Sequence, residues 1–431
     1  EIRLSLVGSE MCIRDRSTAM KKLLLPLAGA LLIISGLSGC QSTELVSGLP
    51  TPSVVTESTA ADSSGEPGAT SENSEADGQI QSTEQSVTVE SPAEDSGTPE
   101  QRAAEILSGM TTAEKAGQVI LARYPGENAL SEAQKNHLGG YVMFGVDFRG
   151  STPEEITAEI AEIQSASKLR MLFAADEEGG TVVRISKYPQ YRAEPFPAQA
   201  EVLSQGLDAV SSEAQEISGL MSSLGLNMNL APVCDLPRSE TDFIYDRAFS
   251  TDPQQTSRAV GAAVESYGQS GLICALKHFP GYGNNLDTHT GISIDERPLS
   301  EITELDLEPF RAGISAGAPV VMVSHNIVNC IDDSLPGSLS GKMYAFLREQ
   351  GFTGAAMTDD LSMDAVGEYC GENAAAVTAL KAGADVLCCT DYASAAEALT
   401  AAVESGEIPE ERIDEAVTRV LLLKLTYGII E

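Results

Sequence analysis

The chain holds only four histidines in 431 residues, His137, His278, His289 and His325, and two of them fall in one stretch, ALKHFPGYGNNLDTHTG, residues 275–291. An apolar run, Leu272 to Leu276, leads to Lys277 and His278, which are expected where a buried strand ends. Pro280, Gly281 and Gly283 then break the strand and open a loop that carries Asp287 and His289, two residues apart. A carboxylate at that spacing can fix the tautomer of an imidazole, orient it and raise its basicity, which suits a general acid or base. A lone D-x-H also fits an ordinary polar loop, so the reading depends on what other groups the fold brings alongside.

Eight short apolar runs are expected to supply the positioning frame: Gln118–Ala122, Gly140–Phe144, Met171–Ala175, Met228–Ala231, Ile273–Leu276, Val320–Val323, Gly354–Met357 and Asp385–Cys389. They are largely unalternated, as strands covered on both faces are. Helical patterns lie at Pro153–Ser165, Leu207–Leu224, Pro253–Ser270, Glu304–Ala316, Lys342–Gln350, Asn373–Ala382 and Ala393–Ser405, one after every strand except the first. This alternation predicts an α/β fold, a single (β/α)8 TIM barrel, in preference to an open doubly wound sheet. No G-x-G-x-x-G follows the first strand, which weighs against a dinucleotide site.

Polar groups recur just after these strands: Asp176 in AADEEGG, Pro232 and Asp235, Lys277 and His278, Ser324-His325-Asn326, and Thr358-Asp359-Asp360. Any one of them could be a cap or a turn residue. Five strands ending this way put reactive side chains where barrel enzymes build their sites.

The barrel is expected to span residues 98–431. Residues 1–19 show no sustained period and read as a non-native leader. Residues 20–40 read as a lipoprotein signal: Met20, Lys21 and Lys22, an apolar stretch from Leu23 to Ile34, then Leu37-Ser38-Gly39-Cys40, with Cys40 as the lipidated residue. The apolar stretch is short for a transmembrane helix. Residues 41–97 contain no Lys, Arg or aromatic residue and are rich in Ser, Thr and Glu, so a disordered acidic linker is expected. The net charge of -36 argues against nucleic acid as a partner and against a second, electrostatic membrane contact, leaving the lipid as the only link to a membrane. No C-x-x-C or zinc spacing is present; Cys234, Cys274, Cys388 and Cys389 lie in apolar runs and are expected to be buried thiols.

Taken together, ILSGMTTAEKAGQ, FAADEEGG, NLAPVCDL, YDRAFS, KHFPGYG, DTH, SHNIV and MTDDLSM, in this order, resemble glycoside hydrolase family 3 in its bacterial β-N-acetylhexosaminidase branch. The resemblance implies a retaining β-glycosidase that acts through a covalent glycosyl-enzyme, with no cofactor and no metal. It implies Asp359 as nucleophile, His289 as acid/base and Asp287 as its orienting partner. It assigns substrate binding to Asp176, Arg247, Lys277 and His278, with Asp235, His325 and Asp360 as supporting residues. Gly179 and Gly180 are expected to let the backbone pass close to the sugar. Only helical patterns follow the eighth strand, so no second domain is expected to donate a Glu acid. The expected partner is a glycan containing N-acetylglucosamine, and the expected state is a monomer.

The chain departs from the family pattern at Tyr282, where KHFPGHG is usual, and in a slightly shorter loop before Asp287. Other readings are a β-glycosidase of different specificity, a phosphorylase on the same loop, a metal hydrolase using His278, Asp287 and His289, and a non-enzymatic glycan-binding lipoprotein.

Overall fold

The computed structural model describes residues 97–431 other than Glu368 and Gly371. The leader, the signal segment with Cys40, and the linker up to residue 96 lie outside the described residues.

The eight barrel strands are β1 (Ile120–Arg123), β2 (Gly140–Met143), β3 (Leu172–Ala175), β4 (Met228–Asn229), β5 (Ile273–Phe279), β6 (Val320–Val323), β7 (Ala355–Thr358) and β8 (Leu387–Cys389). They pair in parallel in chain order, and β8 also pairs with β1. A parallel bridge between Met357 and Val386 joins β7 to β8, with Thr358 N donating to Val386 O at 3.0 Å. Every expected run therefore contributes one strand. The short strands are buried almost throughout, which is why they lack polar alternation.

Lys277 and His278 do not follow β5, as the sequence suggested, but lie inside it. The strand is prolonged because the segment after β4 keeps pairing with it: Cys234 N donates to Lys277 O at 2.6 Å and Lys277 N to Pro232 O at 3.3 Å. The helix after β1 is Ala129–Asn136, whose buried residues are only Ala129 and Ala133 and which ends at His137 in the left-handed conformation (φ 54). The helical segment before β6 begins at Leu299, earlier than expected, and contains a π turn over Ile302–Asp306 that turns the Asp306 side chain inward.

Two N-terminal helices, Pro99–Ser108 and Thr112–Gln118, open on reciprocal Thr caps. The last helix, Glu410–Thr426, lies against the N-terminal ends of the strands. There the buried Asp385 carboxylate accepts from Arg348 (2.7 Å), Arg412 (2.8 Å) and Arg419 (3.0 Å). Lys424, fully buried, donates to Gln118 Oε1 at 2.9 Å.

Candidate active site

The opposite end of the barrel gathers the groups singled out by sequence. Asp359 follows β7 directly, and its N–H donates to Val323 O at 3.1 Å, which ties it to the end of β6. Its Oδ1 accepts the Asp360 N–H at 2.9 Å, while Oδ2 has no hydrogen-bond partner among the described residues. Burial works to raise this carboxyl. The imidazoles of His325, His278 and His289 around it outweigh burial and hold it below the usual value. The result is an anionic oxygen, half-buried and open on one side.

The loop after β5 places His289 within the electrostatic reach of Asp359. Asp287 Oδ1 accepts from both the His289 N–H (3.0 Å) and the ring Nδ1 (2.7 Å). An ionised carboxylate can only accept, so Nδ1 carries the proton and the exchangeable position is Nε2. Nε2 has no partner among the described residues. Burial pulls the His289 pKa down. The Asp287 hydrogen bond and the charge of Asp359 prevail and raise it above the ordinary 6.5. Asp287 moves the other way: burial raises it, and the bond to His289 lowers it further than that.

A dense ion network lines the floor. Lys277 Nζ lies 2.7 Å from Asp176 Oδ1 and 2.6 Å from Glu178 Oε1. Arg247 binds Glu178 through Nε (2.9 Å) and Nη2 (2.7 Å), and its Nη2 also lies 3.3 Å from His278 Nε2. Arg184 approaches Asp176 at 3.4 Å. Burial opposes ionisation of Asp176 and Glu178, but the surrounding cations keep both carboxyls below their ordinary values. Such a cluster offers donors and acceptors, already fixed in place, to the hydroxyls of a sugar.

The supporting residues do separate jobs. Asp235 accepts from His278 Nδ1 (2.7 Å), His278 N (3.1 Å) and Tyr282 N (2.7 Å), so it holds two consecutive parts of the loop. His325 Nε2 donates to Asp360 O at 2.9 Å and its Nδ1 lies 2.6 Å from Ser338 Oγ; burial pulls the pKa of this ring down. Asp360 caps a turn, accepting from Ser362 N (2.9 Å) and Oγ (2.8 Å). Gly179 and Gly180 turn out to serve packing: a Cβ on Gly179 would fall 2.1 Å from Pro197 O, and one on Gly180 would fall 2.9 Å from the Ala198 Cβ.

Glu178 and Arg184 were not singled out from sequence. Alternation along a strand was the available signal, since Asp176 and Glu178 share one face and Glu177 takes the other. Glu177 is indeed turned away, accepting the N–H groups of Arg184, Ile185 and Ser186 at 2.9, 2.8 and 3.1 Å.

The start of the loop is braced from outside the site. Arg297 Nη2 donates to Gly281 O at 2.7 Å, and its Nη1 donates to Asp306 Oδ1 at 2.9 Å. Arg238, on the segment after β4, donates to the other Asp306 oxygen at 2.7 Å. Gly283 (φ 56) lies flat on Arg297: a Cβ there would come within 2.1 Å of Nη1.

Comparison with known proteins agrees with this geometry. Residues 111–423 match the glycosyl hydrolase family 3 N-terminal domain. A protein named beta-hexosaminidase from Nitrosomonas eutropha is 32% identical over 270 residues, covering 61% of this chain and 77% of that protein. The structure of a family 3 beta-N-acetylglucosaminidase from Paenibacillus has a TM-score of 0.70 at 30% identity, over 74% of this chain and 63% of that one. This chain thus spans less than two thirds of the Paenibacillus protein. A family 3 glycosyl hydrolase from Mycobacterium smegmatis gives a TM-score of 0.67 at 29% identity, over 74% of this chain and 98% of that one. The matched span includes all eight strands and every candidate residue of the site, and the chain therefore belongs to glycoside hydrolase family 3.

Proposed function

We propose that this chain is a retaining exo-β-N-acetylglucosaminidase that removes terminal N-acetylglucosamine from cell-wall-derived or related glycans. The names of its relatives support the substrate class. The observation that carries the mechanism is the pairing of an open carboxylate oxygen, Asp359 Oδ2, with an open imidazole nitrogen, His289 Nε2, whose other nitrogen is fixed on Asp287.

Asp359 Oδ2 attacks the anomeric carbon while His289 Nε2–H protonates the departing glycosidic oxygen, giving a glycosyl ester and the free aglycone. Neutral His289 then removes a proton from water, which attacks the same carbon and releases Asp359. Two inversions leave the β-anomer. Asp287 keeps the proton on Nδ1 and stabilises the imidazolium present before the first step and after the second. Asp176, Lys277, Arg247 and His278 hold the sugar hydroxyls.

Outside the barrel, we assign Cys40 as a lipid attachment point and residues 41–97 as a tether, so that the enzyme works outside the cytoplasm. Cys40→Ala should move the protein from the membrane fraction to the soluble fraction.

The test of the activity is release of nitrophenol from a panel of nitrophenyl sugars, with and without phosphate, followed by trapping with a slow fluorinated substrate. The N-acetylglucosaminide should be the preferred substrate, the rate should not depend on phosphate, and peptide mass spectrometry should find the sugar on Asp359. Labelling of Glu177, Glu178 or Asp360 would overturn the assignment, and a phosphate-dependent rate yielding a sugar phosphate would make the enzyme a phosphorylase.

A further inference from the structure

Tyr282 stands where the family pattern usually has histidine, and its surroundings give it a specific task. Its ring is buried, edge-on to His278 (centroids 5.1 Å apart, 87° between planes) and tilted on Phe243 (5.6 Å). Its N–H is held by Asp235 at 2.7 Å. The residues on either side are braced by Arg297, which binds Gly281 O and lies against Gly283. The ring is therefore fixed at its backbone and on its faces. From that fixed base the phenol oxygen reaches across the loop to Thr288 Oγ1 at 2.5 Å. Thr288 is fully buried and sits between Asp287 and His289, the two partly exposed members of the dyad.

We propose that Tyr282 is a positioning residue, its hydroxyl latching Thr288 so that the Asp287–Thr288–His289 segment stays closed over the sugar with Nε2 aimed at the glycosidic oxygen. This rests on His289 being the acid/base. The physical basis is leverage. The two Asp287–His289 hydrogen bonds join residues of one turn and do not by themselves tie that turn to the barrel. The Tyr282–Thr288 bond joins the turn to a residue whose backbone is held by Asp235 and whose ring packs edge-on to His278. Burial beside Asp359 and Asp287 raises the phenol pKa, so the hydroxyl keeps its proton throughout the working range. A misplacement of about 1 Å at a catalytic group can cost on the order of 10²-fold.

The experiment compares Tyr282→Phe, which removes one oxygen and keeps the ring, with Thr288→Val, Thr288→Ser and the Tyr282→Phe/Thr288→Val double variant. Each is assayed on a chitobiose-like substrate and on a dinitrophenyl N-acetylglucosaminide, with His289→Ala as reference. Tyr282→Phe and Thr288→Val should each lose roughly 10-fold or more in kcat on the poor leaving group. Glycosylation by the dinitrophenyl substrate should stay within a factor of about 2, since that step needs no protonation. Thr288→Ser should behave as the parent, and the double variant should be no worse than either single one, because both remove the same bond. A Tyr282→Phe enzyme with parental rates on both substrates, or one that loses equally on both, overturns the latch while His289→Ala still shows leaving-group dependence. If His289→Ala shows no such dependence, the acid/base assignment falls and the latch with it. If Tyr282→Phe fails to fold, the Thr288→Val and Thr288→Ser pair decides the question alone.

Discussion

Lys277 Nζ lies 2.6 Å from Glu178 Oε1, with both side chains almost wholly shut off from solvent. Arg247 grips the same carboxylate, so Glu178 is shared by two cations, one of which, Lys277, also pairs with Asp176. Removing one partner of a buried pair leaves an uncompensated charge and typically costs about 3–5 kcal/mol. Glu178→Gln should therefore lower the urea midpoint markedly. It should also reduce kcat/KM by a similar factor for good and poor leaving groups, because in the proposed mechanism Lys277 and Arg247 hold the sugar and not the departing oxygen. A selective loss on poor leaving groups would mean that Glu178 takes part in protonation.

His289→Ala should lose about 10²–10⁴-fold on a chitobiose-like substrate, the usual worth of general acid catalysis. On a dinitrophenyl glycoside the first step should survive and deglycosylation should become limiting. Azide, which needs no base, should then restore turnover and yield a β-glycosyl azide. If the loop serves only to cover the sugar, the variant will instead raise KM alike for all substrates, and azide will have no effect.

The pH profile of kcat/KM follows from two groups displaced in opposite directions. Asp359 must be ionised to attack, and its carboxyl is held below the ordinary 3.8, so the acid limb should lie below that value. His289 must be protonated to donate, and its pKa is raised above 6.5, so activity should persist past that value before it declines. Asp287→Asn removes the Asp287 charge and leaves only a neutral, weaker hydrogen bond to Nδ1, so part of the raising is lost while that of Asp359 remains. Its alkaline limb should move to lower pH, and an unmoved limb would show that another group controls it.

Lys424 gives a stability prediction of the same sign as acid denaturation, displaced to alkaline pH. Burial pushes its pKa down to about 7, from an ordinary 10.5. Below about pH 7 the lysine is charged in both the folded and the unfolded chain, and the folded state bears the whole desolvation cost. Between there and 10.5 the unfolded chain binds more protons, so this group makes stability rise with pH. Lys424→Met should raise the unfolding free energy at pH 6 by a few kcal/mol, since each tenfold weakening of proton binding corresponds to roughly 1.4 kcal/mol. Thermal melts should show that advantage shrinking toward pH 10. An equal gain at both pH values would mean that the lysine is charged when buried.

The frame was legible because barrel strands are buried on both faces and read as plain apolar runs. The helix Ala129–Asn136 was not, since an inner face built of Ala129 and Ala133 carries no strong period. His289 stood out because the chain has only four histidines, and Asp287 and Asp359 because of the short motifs around them. Which member of Asp176-Glu177-Glu178 faces the site depends on how the strand exits the barrel, and three adjacent carboxylates look alike in sequence. The latch was hidden for a different reason. Tyr282 and Thr288 are six residues apart on a loop that is irregular up to the short 3-10 turn Thr288–Thr290, where sequence distance says nothing about side-chain reach.

The cluster at the base of the barrel bears on how the protein is made. Asp385 stands at the seam between the seventh and eighth strands, and two of its three arginines, Arg412 and Arg419, come from the last helix. Synthesis runs from the N-terminus, so that carboxylate waits with Arg348 alone until those two residues leave the ribosome. The barrel's final seam is therefore set only once the chain has been made past Arg419. A chain interrupted shortly before Arg412 keeps every residue of the active site but lacks the clamp that holds its last strand, and it should be cleared by proteases as an unfinished product.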